Sequence, residues 1–371
     1  MKNRVLPLIL AVSLLTAAGA AEPLPPWAAV INGYGEIRIA VPAPESPRFA
    51  HLAWPKAIRA KDGTIVLAYL AGTFHGDGGG KSPAISLSTD NGKTFTPPSV
   101  LREFSPGADY TSSGNLAIGL ANDGAVVLLA MGYRGDEANN IYGWRSTDHG
   151  RTWTPTDTSA LGPNKTGSVC GTVVSVPGRG LLVQGHYRKG ATPHTQGIWQ
   201  SVSTDGGRVW QAPTLVTDQD VGEPVLVQVG DRLLSFIRGR GPDAIRQLVA
   251  ISDDKGVTWR SEWSALRATR EGVKGLAHPF AMENPNKPGE VLVLTAERPL
   301  PGRVVLWRGD AQKQDWKQDR VLLNFPKVEG DEHNDYGYTW LVHQKGDRYL
   351  MFYYHGRKKG YSPLWVTEVK I

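Results

Sequence analysis

The chain has little cysteine and no long hydrophobic run beyond its first residues. Cys170 is the single cysteine among 371 residues, so no internal disulfide can form and packing must stabilise the fold. After residue 18, no uncharged apolar stretch approaches the roughly 18 residues that a spanning helix needs. Blocks of like charge are also missing, and the net charge is only +6. These absences argue against a disulfide scaffold, a membrane-spanning protein and a nucleic-acid-binding protein.

The first residues have the pattern of a secretory signal. Lys2 and Arg4 precede an apolar run over residues 5–18, and Ala18-Gly19-Ala20 follows as a small-residue cleavage site. This pattern predicts a signal peptide over residues 1–20 and a secreted or periplasmic protein. Residues 21–371 are then expected to form one domain.

Glycine, proline and tryptophan are abundant, at 43, 26 and 12 residues, which favours many short strands joined by tight turns. One octapeptide pattern recurs, with a serine, an aspartate, a glycine and a final aromatic residue at fixed places. The four clear copies lie at Ser88–Phe95, Ser146–Trp153, Ser203–Trp210 and Ser252–Trp259, and a decayed copy lies at Gly309–Trp316. The aspartate and glycine predict a hairpin turn.

The spacing of these copies predicts the architecture. Their final aromatic residues are 58, 57, 49 and 57 residues apart, about the length of a four-stranded blade. Six pairs of apolar runs also flank turn signals along the chain, the first around Asp62-Gly63 and the last around Gly346-Asp347. The sequence therefore predicts an all-β, six-bladed β-propeller with Asp-box hairpins, closed by pairing of residues 364–369 with residues 36–40.

The repeats and the blade count resemble the sialidase (neuraminidase) superfamily over nearly the whole chain after residue 20. Within that resemblance, Glu223 precedes one hairpin and Arg238 follows it, which implies a base for Glu223 and a carboxylate-binding role for Arg238. The stretch Asp335–Leu341 resembles the segment that carries the family's catalytic tyrosine. Tyr338 is the better match and Tyr336 the alternative.

The remaining site residues are also implied by the resemblance or by their place at strand ends. Asp77, in the glycine-rich loop 71–80, is the candidate acid/base, and His75 would assist or replace it. Arg298 and Arg303 both follow the fifth hairpin, and Arg298 is the preferred substrate-binding residue. Polar residues recur where strands should reach the centre, which predicts a cationic substrate pocket that includes Arg238, Arg298, His75, His186, Tyr336 and His355.

The chain departs from the family at one charge pair. Ala53 stands where sialidases have an arginine two residues before a proline, and Tyr354 stands where they have the glutamate that supports this arginine. A buried charge without its partner is costly, so the paired replacement indicates a redesigned pocket.

The sequence therefore predicts a retaining exo-glycoside hydrolase that releases a terminal, acidic sugar from a glycan. A non-catalytic carbohydrate-binding propeller and a propeller polysaccharide lyase remain as alternatives. The nine histidines are dispersed, so no metal motif and no cofactor are predicted. We expect a monomer whose partner is an anionic glycan.

Overall fold

A computed structural model describes residues 23–76, 78–136 and 138–371. The predicted signal peptide and Asp77 therefore lie outside the described residues. Nearly all regular structure is β, and three short 3₁₀ helices cover Pro47–Phe49, Ser159–Leu161 and Gly241–Asp243. No helix in the described part of the chain is long and apolar enough to cross a membrane.

The strands follow one another as short antiparallel groups. Before the first hairpin come β1 (Val30–Ile31) and β2 (Ile37–Val41). The next groups are β3 (His51–Arg59), β4 (Ile65–Gly72), β5 (Ser82–Ser88), β6 (Ser99–Val100); β7 (Ser112–Leu120), β8 (Val126–Arg134), β9 (Ala138–Ser146), β10 (Thr154–Thr156); and β11 (Gly167–Val176), β12 (Gly180–Tyr187), β13 (Ile198–Ser203), β14 (Thr214–Thr217). The last groups are β15 (Val221–Val229), β16 (Arg232–Gly239), β17 (Arg246–Ser252), β18 (Arg260–Arg267); β19 (Gly275–Leu276), β20 (Phe280–Glu283), β21 (Glu290–Arg298), β22 (Gly302–Asp310), β23 (Lys317–Phe325); and β24 (Asp335–Lys345), β25 (Arg348–Gly356), β26 (Leu364–Lys370).

These groups form an all-β propeller. The first strand of each hairpin contacts the first strand of the next in cyclic order, β3, β7, β11, β15, β20, β24 and back to β3. All six hairpins indicated by the sequence are antiparallel pairs. The ring closes as the sequence predicted, because β2 pairs with β26 and completes the sheet that begins at β24.

The sequence predicted six blades, each expected to be a separate sheet, and this number of sheets was wrong. The strands form five hydrogen-bonded sheets, three with four strands, one with six and one with eight. The eight-stranded sheet arises because Gly171, Thr172 and Val173 of β11 pair in parallel with residues of β7. This pairing joins two four-stranded groups that the sequence pattern treats as separate.

The four octapeptide copies adopt one turn geometry. In the second copy, Asp148 accepts hydrogen bonds from the Ser146 hydroxyl at 2.8 Å, the Thr152 amide at 2.8 Å and the Thr152 hydroxyl at 2.6 Å. Gly150 donates its amide to Ser146 Oγ and has a φ of 94°, a conformation that glycine adopts without strain. These bonds hold the pKa of Asp148 down at about 2, against the burial that would raise it.

We expect Asp148→Ala to lower the free energy of unfolding by about 1–3 kcal/mol, because three hydrogen bonds are lost in one turn. The matched variant is Asp205→Ala, because Asp205 also accepts three hydrogen bonds, from the Ser203 hydroxyl at 2.8 Å and from the amides of Arg208 and Val209 at 3.0 Å each. Its cost should be similar, within about 0.5 kcal/mol. Urea titration measures both costs, and a cost near zero for either variant would contradict the assigned bonds.

Bulges on the innermost strands turn selected side chains toward the axis. The strand register shifts between Ala53 and Lys56 in β3, between Gly222 and Pro224 in β15 and between Gly337 and Trp340 in β24. Within these shifts, Trp54, Glu223 and Tyr338 have positive φ values of 57°, 55° and 50°. Such backbone is costly for residues with a Cβ and is concentrated at functional sites.

Candidate active site

Glu223 and Tyr338, 115 residues apart in the chain, meet at the axis of the ring. The Tyr338 hydroxyl donates a short hydrogen bond to Glu223 Oε1. Arg238 Nη1 donates to the other oxygen, Oε2, at 2.8 Å. The carboxylate is thus held between a phenol and a guanidinium, with only 16% of its side chain exposed.

The charges around this pair favour a carboxylate base beside a protonated phenol. Burial opposes ionisation of Glu223, but Arg238, the nearby His278 and the hydrogen bond from Tyr338 bring its pKa well below the usual range. Burial and the Glu223 charge raise the pKa of Tyr338 well above its ordinary value, although Arg238 and Arg298 act in the opposite direction. The phenol is therefore neutral at rest and has a base in contact with its proton.

Three further side chains pack around Tyr338. The His278 ring stacks on the Tyr338 ring at a centroid distance of 5.3 Å, and the Trp54 ring lies 6.0 Å away. Lys56 is fully buried, with its ammonium 5.7 Å from the Tyr338 ring and 2.8 Å from Asn115 Oδ1. Burial lowers the pKa of Lys56 to about 8, although the negative charge of Glu223 favours its protonated form.

We expect Lys56→Met to stabilise the chain by about 2–3 kcal/mol at pH 7, because the buried ammonium is costly. Between pH 8 and about 10.5 the unfolded chain keeps the lysine proton that the folded chain has lost, so the wild type gains stability as pH rises. The advantage of the variant should therefore shrink across this window. Denaturation at pH 7 and pH 10 tests it, and a pH-independent difference would contradict the depressed pKa.

A second polar cluster surrounds Asp335, which begins β24. Its Oδ2 is 2.7 Å from His75 Nδ1 and 3.4 Å from His51 Nε2, and its Oδ1 accepts from the Tyr354 hydroxyl at 3.0 Å. Arg298 donates to the same hydroxyl at 2.8 Å and to the Tyr336 carbonyl. Tyr354, which replaces the family's glutamate, therefore links a guanidinium to a buried carboxylate.

The two clusters line adjoining cavities that share Arg238. The larger, of about 600 Å³, includes His75, Arg298 and Asp335, with exposed lysines at 274, 358 and 359. The smaller, of about 370 Å³, includes Glu223 and His186 together with the arginines at 188 and 240. Cations outnumber anions in both linings, which suits an anionic ligand.

The structure separates the predicted substrate-binding residues into two groups. His75, Arg238, Arg298 and His186 line the cavities, and His186 Nδ1 accepts the Glu223 amide at 3.2 Å. Tyr336 also borders the larger cavity, but its ring packs on Phe325 and its hydroxyl bonds the Glu297 carbonyl.

Two of the predicted positions lie away from the cavities. His355 is fully buried, bonds the His333 carbonyl at 3.0 Å and lines neither cavity. Arg303 instead pairs with Glu297 at 3.0 Å, so the geometry favours Arg298 over Arg303.

Sequence reasoning missed Trp54, His278, Lys56 and Asp335, and it considered His51 only as a residue that could fill the space beside Ala53. A signal existed for some of them, since Trp54, Glu223 and His278 each precede a proline close to the start of an innermost strand. Asp335 lies in the segment 335–341, which attracted attention for its tyrosines. No other sequence feature distinguishes a carboxylate at the start of a strand as a site residue.

The fold and the central site define a β-propeller of the sialidase-like kind. The family model described as the BNR repeat-like domain matches residues 103–300, more than half of the chain. The chain therefore belongs to the BNR repeat-like family, in agreement with the resemblance inferred from the repeats. A search of curated proteins by sequence found no match.

Solved structures share the fold at low sequence identity. A Dyadobacter fermentans protein of unknown function has 21% identity and a TM-score of 0.66, with 90% of this chain and 99% of that chain covered. The NanB sialidase of Streptococcus pneumoniae has 12% identity and a TM-score of 0.66, with coverage of 90% and 70%. An alpha-L-arabinanase of Penicillium chrysogenum has 13% identity and a TM-score of 0.63, with coverage of 91% and 99%.

Proposed function

We propose that the chain is a retaining exo-glycoside hydrolase with Tyr338 as nucleophile and Glu223 as its base. The observation that carries this proposal is the hydrogen bond from the Tyr338 hydroxyl to Glu223. Both residues have positive φ, and Glu223 lines the smaller cavity while Tyr338 is buried behind it with 5% of its surface exposed. Similar propellers include a sialidase and an arabinanase, which supports a glycan substrate.

The proposed reaction has two displacements at the anomeric carbon. Tyr338 Oη attacks this carbon while its proton passes to Glu223 Oε1, and the bond to the leaving oxygen breaks as Asp77 protonates that oxygen. Water then attacks the anomeric carbon and gives one proton to Asp77, while the bond from this carbon to Tyr338 Oη breaks. The phenolate recovers the proton held by Glu223. Two inversions give net retention.

The proposed substrate carries a negative charge. Arg298 lines the larger cavity, and the lysines at 274, 358 and 359 at its rim form no salt bridge within the described part of the chain. A clamp of three arginines on one carboxylate is not supported, because Ala53 is fully buried and Arg298 already bonds Tyr354 and Tyr336. We therefore place the charge recognition at the rim and at Arg298.

We also propose that the ring has six blades, with the eight-stranded sheet counted as two. The cyclic contacts of the six innermost strands support this count. The pattern of residues 1–20 supports export of the domain formed by residues 21–371.

The experiment is a panel of aryl glycosides that carry sialyl, uronyl, arabinofuranosyl and uncharged hexosyl groups, assayed with purified chain and with Glu223→Gln. We expect the wild-type chain to release the aryl group from a charged glycoside and Glu223→Gln to release none. NMR of the first-formed sugar should show the same anomeric configuration, α or β, as the substrate. Release of an unsaturated sugar would instead indicate a lyase. Binding of glycans without turnover would indicate a carbohydrate-binding propeller.

A further inference from the structure

The cluster at the far side of the larger cavity has the composition of a metal site. His51, His75 and Asp335 each offer one ligand atom, and these three atoms lie within 4.8 Å of one another. They come from the start of β3, the loop after β4 and the start of β24, so the propeller brings together residues that are up to 284 positions apart. Two imidazoles and one carboxylate are a common ligand set for divalent transition metals.

His51 gives an independent indication of a missing ligand. Its side chain is fully buried, and Nε2 forms no hydrogen bond with any described residue although it lies 3.4 Å from Asp335 Oδ2. A buried polar atom without a partner is costly, and it is rare in native proteins. Its Nδ1 also has no hydrogen-bond partner among the described residues.

The surrounding residues hold the other two ligand atoms in place. Lys81 Nζ donates to the backbone carbonyls of His75 at 2.5 Å and Gly76 at 2.8 Å, which fixes the loop that carries the imidazole. The Tyr354 hydroxyl fixes Asp335 through its other oxygen at 3.0 Å. Ligand atoms of a tetrahedral zinc site lie about 3.3 Å apart. The two histidine-to-carboxylate distances are 2.7 Å and 3.4 Å, and all three ligand atoms lie within 4.8 Å of one another, so a small shift of the partly exposed His75 ring would complete the geometry.

We propose that His51, His75 and Asp335 bind one divalent transition-metal ion, with Zn²⁺ as the best fit. Imidazole ligands favour zinc and other late transition metals, such as cobalt and nickel, over calcium, which prefers a shell of oxygens. His75 is 35% exposed and lines the cavity, so the ion has an open side for water or a sugar oxygen. The Trp54 ring lies between this site and the nucleophile, 4.8 Å from the His75 ring and 6.0 Å from Tyr338.

Binding would require a change of tautomer at His75. In the metal-free cluster His75 Nδ1 donates to Asp335, and an ion bound at this nitrogen needs its lone pair. The ring proton then belongs on Nε2, and Asp335 exchanges a hydrogen bond for a bond to the metal.

The test is isothermal titration of chelator-treated chain with ZnCl₂, followed by visible spectroscopy with Co²⁺. We expect about one ion per chain, a cobalt spectrum typical of four to five nitrogen and oxygen ligands, and no competition from Ca²⁺. His51→Gln and the partly exposed His75→Gln should each weaken binding by more than about 100-fold. His343→Gln, which alters a histidine bonded only to the Gly346 carbonyl, serves as the control.

The two ligand variants separate loss of binding from loss of fold. His75→Gln changes a residue at the cavity surface, so its circular dichroism and melting temperature should match those of the wild type without metal. Failure of wild-type chain to bind Zn²⁺, Co²⁺ and Mn²⁺ would overturn the proposal, as would binding that both ligand variants retain. Neither result bears on the roles of Tyr338 and Glu223.

Discussion

The Tyr338→Phe variant is expected to lose roughly 10²–10⁴-fold in kcat/KM on whichever glycoside the wild-type chain hydrolyses. The change removes one oxygen, the atom that donates to Glu223, and leaves the ring against His278 and Trp54. Glu223→Gln should have an effect of similar size, because an amide cannot take the phenol proton. The double variant should be no slower than the worse single variant, since the two residues act in one step.

Tyr353→Phe is the matched control for this prediction. Tyr353 is fully buried in the neighbouring strand β25, and its hydroxyl has no hydrogen-bond partner among the described residues. Its removal should leave kcat/KM unchanged within about twofold. Additive losses in the Tyr338 and Glu223 double variant would show that the two residues serve separate steps and would contradict the proposed pair.

The second large effect is expected for Arg238→Met. Arg238 is the cation that contacts Glu223, at 2.8 Å, so its loss leaves a largely buried carboxylate without a counter-charge. Burial then raises the pKa of Glu223, which the arginine now holds well below its usual range. We expect roughly 10²–10⁴-fold lower kcat/KM at pH 5 and an acid limb of the pH profile that moves to higher pH. Part of the activity should return as pH rises.

This pH profile separates two roles for Arg238. An arginine that only binds substrate would raise KM at every pH and leave the acid limb in place. The control is Arg303→Met, in which Glu297 keeps a second cation, Arg270, at 3.4 Å and no cavity residue changes. If the acid limb of the pH profile, which we assign to Glu223, lies at the same pH in Arg238→Met as in the wild type, the assigned electrostatics would be contradicted.

Much of the fold could be predicted because the hairpins are marked locally. Apolar runs on both sides of Asp62-Gly63 or Gly346-Asp347 specify a strand, a turn and a returning strand within some twenty residues. The parallel pairing of β7 with β11 carries no such mark. It depends on Gly119 of β7, where a Cβ atom would lie 1.9 Å from the Val173 carbonyl oxygen of β11, so only glycine allows the two strands to approach.

Residues of the site could be predicted from the sequence only where the residue type itself indicates one chemical role. Glu223, Arg238 and Tyr338 stand out by charge or by their place beside a hairpin, and the structure brings all three together. His51 and Trp54 do not stand out, because they sit in an apolar strand where period-two alternation predicts core positions. A bulge breaks that period and reverses the direction of the side chains beyond it, and its position cannot be read from alternation alone.

The closing sheet is assembled from both ends of the polypeptide. Strand β2 is the outermost strand of this sheet, and the innermost strand, β24, carries Tyr338. Strand β3, the neighbour of β24 in the ring, carries Trp54 and His51. A variant without residues 37–41 would leave β26 as an open edge, which is a template for pairing with a second molecule, so this variant is expected to self-associate.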